Sequence, residues 1–417
     1  MHKTHVRSLK LKSIQHERID ELFNQLTTLW NAGLEERIEA YKRTGSSPNA
    51  NAQSRSLTLI RKDDIDFSKF HRDTQQSVIK RLSKTFESFF DRVEAGKKPG
   101  FPRFKSTHRG VRSFEISEPT IHKRGKRHAI RVKGIGELRF EGLPADKIKL
   151  ARVVKTALRT SIHLVVEPPD HIVQDSKPQL PVGLDVGVKN RLMLSTGESV
   201  PGARRNHKEI KRRQRALSRA KKGSNKRAEK RRLLAKAHER VKIKERNALH
   251  RLTTSLVRRH KFIAVEKIGF EKMVKASSRS LSKAIHEQQW GALVNQLTYK
   301  AEWAGGEVKP VNPAGTSMTC SNCGSKKPMP TRVRTYVCGE CDLVLDRDLN
   351  AARNILRRAD FIGCPPAGWE IESASTRPGA SENVLDPDRP DEVRLRPVES
   401  ADAFGQDAEQ FAKVIGA

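Results

Sequence analysis

A multidomain α/β plus β protein is predicted by three features of the sequence. With 417 residues, the chain is long enough for two or three compact units, each with its own core. Residues 111–167 alternate apolar and polar positions with the period of a strand, and from residue 182 to residue 311 short apolar strands alternate with helical patterns.

Taken in order, residues 18–43 place Leu22, Leu26, Leu29, Trp30, Leu34 and Ile38 at helical spacing, so one face packs while charges face water. A second stripe is formed by Val78, Ile79, Leu82, Phe86, Phe89, Phe90 and Val93, with Gly96 placed to end the helix. The run Gly96-Lys97-Lys98-Pro99-Gly100-Phe101-Pro102-Arg103-Phe104-Lys105 then breaks regular structure and interleaves cations with aromatics. Such a loop suits nucleic acid, since aromatics stack on bases and cations meet phosphates, but the same phenylalanines equally suit core anchors. In the β region, Ile130 and Val132, Leu138 and Phe140, then Ile162, Leu164 and Val166 point to one face, with turns at Gly134 and Gly136. A small antiparallel barrel or sheet is expected, followed by a linker over residues 168–181.

Residues 182–188 form an apolar strand interrupted by one acid, Asp185, and residues 192–194 begin a second, which predicts a hairpin. Between residues 203 and 260 there are 23 Lys or Arg against four Glu. Two long basic helices broken at residues 221–225 are expected there, and so one-sided a charge favours phosphate over intrahelical salt bridges. Residues 261–266 read as a buried strand ending on Glu266, Trp290, Leu293 and Leu297 mark a helix, and residues 308–311 another strand. From residue 365 onward, six prolines and 11 acidic against five basic residues replace the basic composition. This tail is expected to be largely disordered, with at most a short helix over residues 408–414.

A formal charge of +34 repels itself unless a polyanion neutralises it, so nucleic acid is the expected partner. No apolar run approaches the roughly 20 residues of a membrane-spanning helix. The basic first 13 residues lack the apolar segment of a signal peptide, which leads to the expectation of an intracellular protein. Five cysteines are too few for a disulfide scaffold, and four of them fall within 22 positions. Cys320-x-x-Cys323 and Cys338-x-x-Cys341, 14 residues apart, have the spacing of two knuckles that present four thiolates to one structural zinc. Cys364 stands apart as an unpaired thiol.

Three acids carry the second site: Asp185, Glu266, and Asp348 at the start of a helix in Asp346-Arg347-Asp348-Leu349-Asn350. Asp185 and Glu266 interrupt segments that otherwise read as buried, where a carboxylate is costly unless it binds a cation. Hard oxygen ligands suit magnesium. Two such ions would support in-line phosphodiester hydrolysis.

The order Gly-Leu-Asp185-Val-Gly-Val-Lys-Asn, Ala-Val-Glu266, Cys-Ser-Asn-Cys323-Gly and Asp-Arg-Asp348-Leu-Asn-Ala-Ala resembles the TnpB family, as does the Gly-Lys-Lys-Pro-Gly-Phe-Pro-Arg-Phe-Lys stretch. The likeness covers nearly the whole chain to about Phe361. TnpB proteins are transposon-encoded RNA-guided DNA endonucleases related to type V CRISPR effectors. The resemblance implies an RNase H-like RuvC core over residues 179–318 and 343–363, including the basic helical hairpin 203–260, with a zinc ribbon at 319–342. It further implies a wedge-type β-barrel from residues 1–15 and 105–178 and a helical recognition domain over 16–104. By position, Asp185, Glu266 and Asp348 match the family's catalytic, magnesium-binding triad, while Cys320, Cys323, Cys338 and Cys341 match its zinc ligands. Asp346 is read as lying behind the ligands or at the surface. A guide RNA, a double-stranded DNA target chosen with a short adjacent motif, and a prokaryotic cytoplasmic, nucleoid-associated setting follow by the same resemblance. The acidic tail, residues 364–417, departs from it. Competing readings are a non-cutting RNA-guided repressor, a compact type V CRISPR effector, and a zinc-ribbon RNA-binding protein without activity.

Overall fold

The computed structural model describes residues 3–98, 100–106, 110–144, 147–167, 180–203, 207–267, 269–330 and 332–361. The expected linker, apart from Leu180 and Pro181, lies outside these residues, as do Cys364 and the acidic tail. The described chain divides into two compact units, one ending at Glu167 and the other beginning at Leu180.

In the first unit, strand β1 (Lys3–Ser8) is followed by helices α1 (Ser13–Thr44), α2 (Ala50–Asp63), α3 (Ile65–Ser68) and α4 (Arg72–Glu94). Six strands complete it: β2 (Ser113–Ser117), β3 (Ile121–Arg124), β4 (Arg127–Val132), β5 (Gly136–Phe140), β6 (Ile148–Lys155) and β7 (Thr160–Val166). They form two antiparallel sheets, in the orders β1-β7-β6-β2 and β3-β4-β5. One core receives Leu22, Leu26 and Trp30 from α1, Val78 and Leu82 from α4, and Ile130, Leu138, Phe140, Ile162 and Leu164 from both sheets. Gly134 makes its turn at φ +83°, and a Cβ there would sit 2.6 Å from the Phe70 ring, so only glycine fits. The apolar stripe of α4 leaves this core halfway along. Val78, Ile79 and Leu82 are buried, but Phe90 and Val93 are 55% and 48% exposed.

The second unit opens with β8 (Val182–Val186), β9 (Asn190–Leu194) and β10 (Ser199–Pro201), and then the basic helices α5 (Lys208–Ser218) and α6 (Asn225–Arg259). It continues through β11 (Phe262–Glu266), α7 (Phe270–Lys275), α8 (Arg279–Gln288), α9 (Trp290–Trp303) and β12 (Glu307–Val311). A short hairpin, β13 (Thr335–Val337) and β14 (Val344–Asp346), precedes the last helix, α10 (Arg347–Ala359). The main sheet has the order β10-β9-β8-β11-β12. Its first three strands are antiparallel, whereas β11 runs parallel to both β8 and β12.

Strand alternation assigns this sheet two faces. Val182, Leu184, Ile263 and Val265 share one core with Leu249 and Leu256 of α6 and Leu293 and Leu297 of α9. Ala264 and Val311 turn the other way, against Ile355 and Ala359 of α10. Gly183 also lies on that second face: a Cβ there would stand 2.1 Å from the Ala352 carbonyl oxygen, so α10 crosses β8 in backbone contact.

Candidate functional site

The parallel register pairs Ile263 with Val182 and Val265 with Leu184. Glu266 and Asp185 each follow the last residue of this β8–β11 pairing, so both acids stand at one level of the sheet and on the face that carries α10. Asp348 reaches the same place along the helix. From Gly183 to Asp185 is two strand residues, roughly 6.6 Å; from Ala352 back to Asp348 is one helical turn, about 6 Å. The backbone contact of Gly183 with α10 thus sets the distance between two carboxylates far apart in sequence.

The electrostatics record the convergence. Burial pushes the Asp185 carboxyl well above the ordinary carboxylate range, and the negative charges of Glu266 and Asp348 push it further in the same direction. A hydrogen bond from the Val186 backbone N–H and the charge of Arg347 oppose this without cancelling it. Burial also raises the Glu266 carboxyl. Asp348 has two cationic neighbours, Arg347 Nη2 at 3.4 Å and Arg334 Nη1 at 3.5 Å. Arg347 is anchored by donation from Nη1 to the Val333 carbonyl, whereas the side chain of Arg334 is 55% exposed. Asp185, Glu266 and Asp348 thus share one side of the sheet, with Asp185 buried near the other two charges, but among the described residues only the four cysteines draw close enough together to form a ready metal cluster.

Asp346 is exposed, as one of its two expected placements has it. It is the N-cap of α10, its Oδ1 accepting from the backbone N–H groups of Asp348, at 2.8 Å, and Leu349, at 3.2 Å. The capping pattern is present in the sequence as an aspartate immediately before a helix-forming run.

Cys320, Cys323, Cys338 and Cys341 offer sulfur atoms that all lie within 4.8 Å of one another. Two of the separations, Cys320 to Cys341 at 3.7 Å and Cys323 to Cys338 at 3.5 Å, approach the ~3.8 Å tetrahedron edge that follows from metal–sulfur bonds of about 2.3 Å. The Ser325 hydroxyl and the backbone N–H groups of Glu340 and Cys341 lower the Cys338 thiol to about 6, while burial pushes Cys320 up to about 12. A cation among the four sulfurs would stabilise all of them as thiolates. The cluster has the geometry to hold a metal ion, with every position filled by sulfur.

The knuckles are fastened to α10. Asn350 Oδ1 accepts from the Ser321 N–H at 2.9 Å, its Nδ2 donates to the Thr319 carbonyl at 2.8 Å, and Asn354 Nδ2 donates to the carbonyls of Thr316 and Thr319. Both asparagines are buried. Sequence reading missed them, although a pair of amides at i and i+4 on an otherwise apolar helix face is a legible signal for a buried polar contact.

Comparisons with known proteins agree with this architecture. A family profile described as "Cas12f1-like, TNB domain" matches residues 290–355, and one described as "Probable transposase" matches residues 163–277. A Streptomyces pristinaespiralis protein named "Putative RNA-guided DNA endonuclease" is 28% identical over 388 residues, covering 90% of this chain and 94% of that one. Escherichia coli K12 InsQ, with the same description, is 27% identical over 299 residues, or 67% of this chain and 73% of its own. A "TnpB-like protein" of Methanocaldococcus jannaschii is 30% identical over 148 residues, covering 34% of this chain and 53% of its own. Among solved structures, one titled as a Cas12f1–sgRNA–target DNA complex superposes with a TM-score of 0.56 at 16% identity, over 82% of each chain. The chain therefore shares the fold of that Cas12f1 chain and is mixed α/β with several sheets. The chain is thus similar to proteins named as RNA-guided DNA endonucleases and as TnpB-like.

Proposed function

We propose that this protein is an RNA-guided DNA endonuclease that hydrolyses phosphodiester bonds at Asp185, Glu266 and Asp348. The observation that carries the reading is that β8 and β11 bring Asp185 and Glu266 to one sheet face beside α10, where the charges of Glu266 and Asp348 both act on the buried Asp185 carboxyl. The β10-β9-β8-β11-β12 order, with three antiparallel strands followed by two parallel ones, supports an RNase H-like RuvC core. Relatives named as RNA-guided DNA endonucleases support guide RNA and DNA as partners. A charge of +34 suits a chain that holds a long polyanion while base pairing reads the target.

Asp185, Glu266 and Asp348 would hold two magnesium ions, and the four cysteines one structural zinc. Divalent ions in such a cluster activate water and stabilise the leaving oxygen of an in-line displacement. The chain's own contribution is to fix the three carboxylates on rigid elements, so their geometry costs no reorganisation during reaction. Arg334, exposed beside Asp348, offers a cation for charge developing on the phosphate. Arg347, tied to the Val333 carbonyl, orients Asp348. Residues 1–15 and 105–178 as a wedge domain, 16–104 as a recognition domain and 319–342 as a zinc ribbon complete the proposed organisation.

Plasmid cleavage by the protein purified with its RNA tests the reading. Wild type cuts in magnesium, and Asp185→Ala abolishes cutting while RNA affinity stays nearly unchanged. Cutting retained by Asp185→Ala removes that residue from the site, and no cutting by the wild-type particle on any target matched to its RNA favours the non-cutting repressor.

A further inference from the structure

The aromatic end of α4 and the loop after it form a surface that the cutting chemistry does not use. Phe101 packs edge-on against both Phe86 and Phe89, with ring centroids 5.7 Å and 5.4 Å away. Phe89 in turn meets Phe90 edge-on at 5.2 Å. Yet Phe101 remains 49% exposed and Phe104 56% exposed, while the phenylalanines of this unit's core, Phe23, Phe70, Phe114 and Phe140, are at most 1% exposed. The reading of Phe101 and Phe104 as core anchors therefore fails.

The loop that presents them is fixed to α1. Trp30 Nε1 donates to the Arg103 carbonyl at 3.1 Å, Asn31 Nδ2 donates to the Lys105 carbonyl at 3.0 Å, and the Lys105 N–H donates back to Asn31 Oδ1 at 2.8 Å. Lys105 Nζ lies 4.1 Å from the centroid of the Trp30 ring. The backbone on either side of Phe104 is thus held by side-chain hydrogen bonds, and Phe104 is displayed toward solvent from a rigid base. Lys97, Lys98 and Arg103, in the same stretch of chain, are exposed, and among the described residues none of the three has a carboxylate within ion-pair distance. The acids of α4, Glu87, Asp91 and Glu94, each follow a residue of the apolar stripe and so line its far flank, whereas Arg92 lies on the flank facing Gly100. Rigid, half-exposed aromatics bordered by cations without acidic partners match unpaired nucleotides, whose bases stack and whose phosphates carry the opposite charge.

We propose that Phe101 and Phe104, with Lys97, Lys98 and Arg103, form a stacking platform for unpaired nucleotides of the bound guide RNA. The inference rests on the RNA-guided reading above. Guide RNA is preferred over target DNA because half-exposed aromatic surface favours a permanent cover, and the guide is the component held before a target is met.

The test measures affinity of the full-length protein for its co-purified RNA, and for a single-stranded DNA oligonucleotide of the same sequence. Phe101→Leu combined with Phe104→Leu keeps apolar packing and removes the stacking face. Its affinity for RNA should fall by about 10- to 100-fold, with an unchanged dependence on salt. Phe104→Ser, at a ring without an aromatic contact among the described residues, guards against misfolding and should give a smaller loss of the same kind. Lys97→Gln with Lys98→Gln and Arg103→Gln should instead lower the salt dependence, by roughly 0.7 for each phosphate no longer neutralised. Unchanged RNA affinity in both phenylalanine variants overturns the proposal, as does a loss confined to DNA or a loss of self-association in place of RNA binding. If wild type cuts its target and these variants bind RNA normally, this inference alone fails; a wild-type particle that never cuts counts against the parent reading instead.

Discussion

Asp185 is buried where Glu266 and Asp348 already supply negative charge, and its carboxyl is consequently raised well above the ordinary range. In magnesium-free protein this has a definite consequence for stability. Between the unfolded value near 3.9 and the higher folded one, the native state binds more protons than the unfolded chain, so stability falls as pH rises through that window. Glu266, also raised, adds to the same slope. Asp185→Asn lacks the Asp185 contribution. Thermal melts in magnesium-free buffer should therefore show wild type losing ground to Asp185→Asn as pH increases from about 4, with added magnesium closing the gap. Parallel pH profiles for the two proteins would mean that Asp185 is not under this strain. Gly183 offers a second residue-scale test, because a Cβ there would overlap the Ala352 carbonyl at 2.1 Å. Gly183→Ala should push α10 away from β8, cost about 1–3 kcal/mol in a denaturant melt, and reduce cleavage out of proportion to stability, since the displacement separates Asp348 from Asp185.

The link between knuckles and α10 belongs to the scale of elements. Asn350 and Asn354 span from the helix to the carbonyls and N–H of the first knuckle, and β14 runs directly into Asp346, the cap of α10. A cation held by the four sulfurs is thus coupled mechanically to Asp348. Stripping zinc with a chelator, then restoring magnesium, should abolish cleavage, and adding zinc back should recover it. Asn350→Ala should cost about 1–3 kcal/mol by leaving the Ser321 N–H without its partner. Full activity in zinc-depleted protein would show that the knuckles do not position the helix.

At this scale too, the legibility of the fold follows from periodicity. The stripes at Leu22 to Leu34 and at Val78 to Leu82, and the alternations at Ile130 and Ile162, become buried faces because each repeats over several turns or pleats. Helix α2 has no such signal: it buries only Gln53 and Leu57, so no stripe announces it. Strand β10, three residues long, and the polar helix α8 escape for the same reason. Asp185 and Glu266 are visible as acids in apolar strands, yet the parallel pairing of β8 with β11 that unites them is a long-range choice that local spacing does not encode. Phe89, Phe90 and Val93 extend the α4 stripe in sequence but outrun the core, and that excess is what exposes the aromatic platform.

For the whole molecule, the charge of +34 is distributed unevenly, and α5 with α6 forms its densest part. The buried residues of α6 are Ala237 and a group from Leu249 to Val257, so the helix joins the sheet core through its C-terminal third. Its first turns pair with α5 instead, closed by Arg227, whose Nη1 donates to the Leu217 and Ala220 carbonyls at the end of α5. The turn between them carries Arg219, Lys221 and Lys222, and the first turn of α6 adds Lys226, all four exposed and clear of the core. Phosphates bound by such a tip release their counterions, so each one left unbound lowers the slope of log affinity against log salt by roughly 0.7 to 0.9. Replacing Lys221, Lys222 and Lys226 by Gln should leave the melting temperature within a degree or so, as surface changes do, while weakening RNA binding at moderate salt and flattening its salt dependence by about 2. Binding that weakens equally at every salt concentration would instead point to poorer shape complementarity, and unchanged binding would show that the tip faces solvent in the assembled particle.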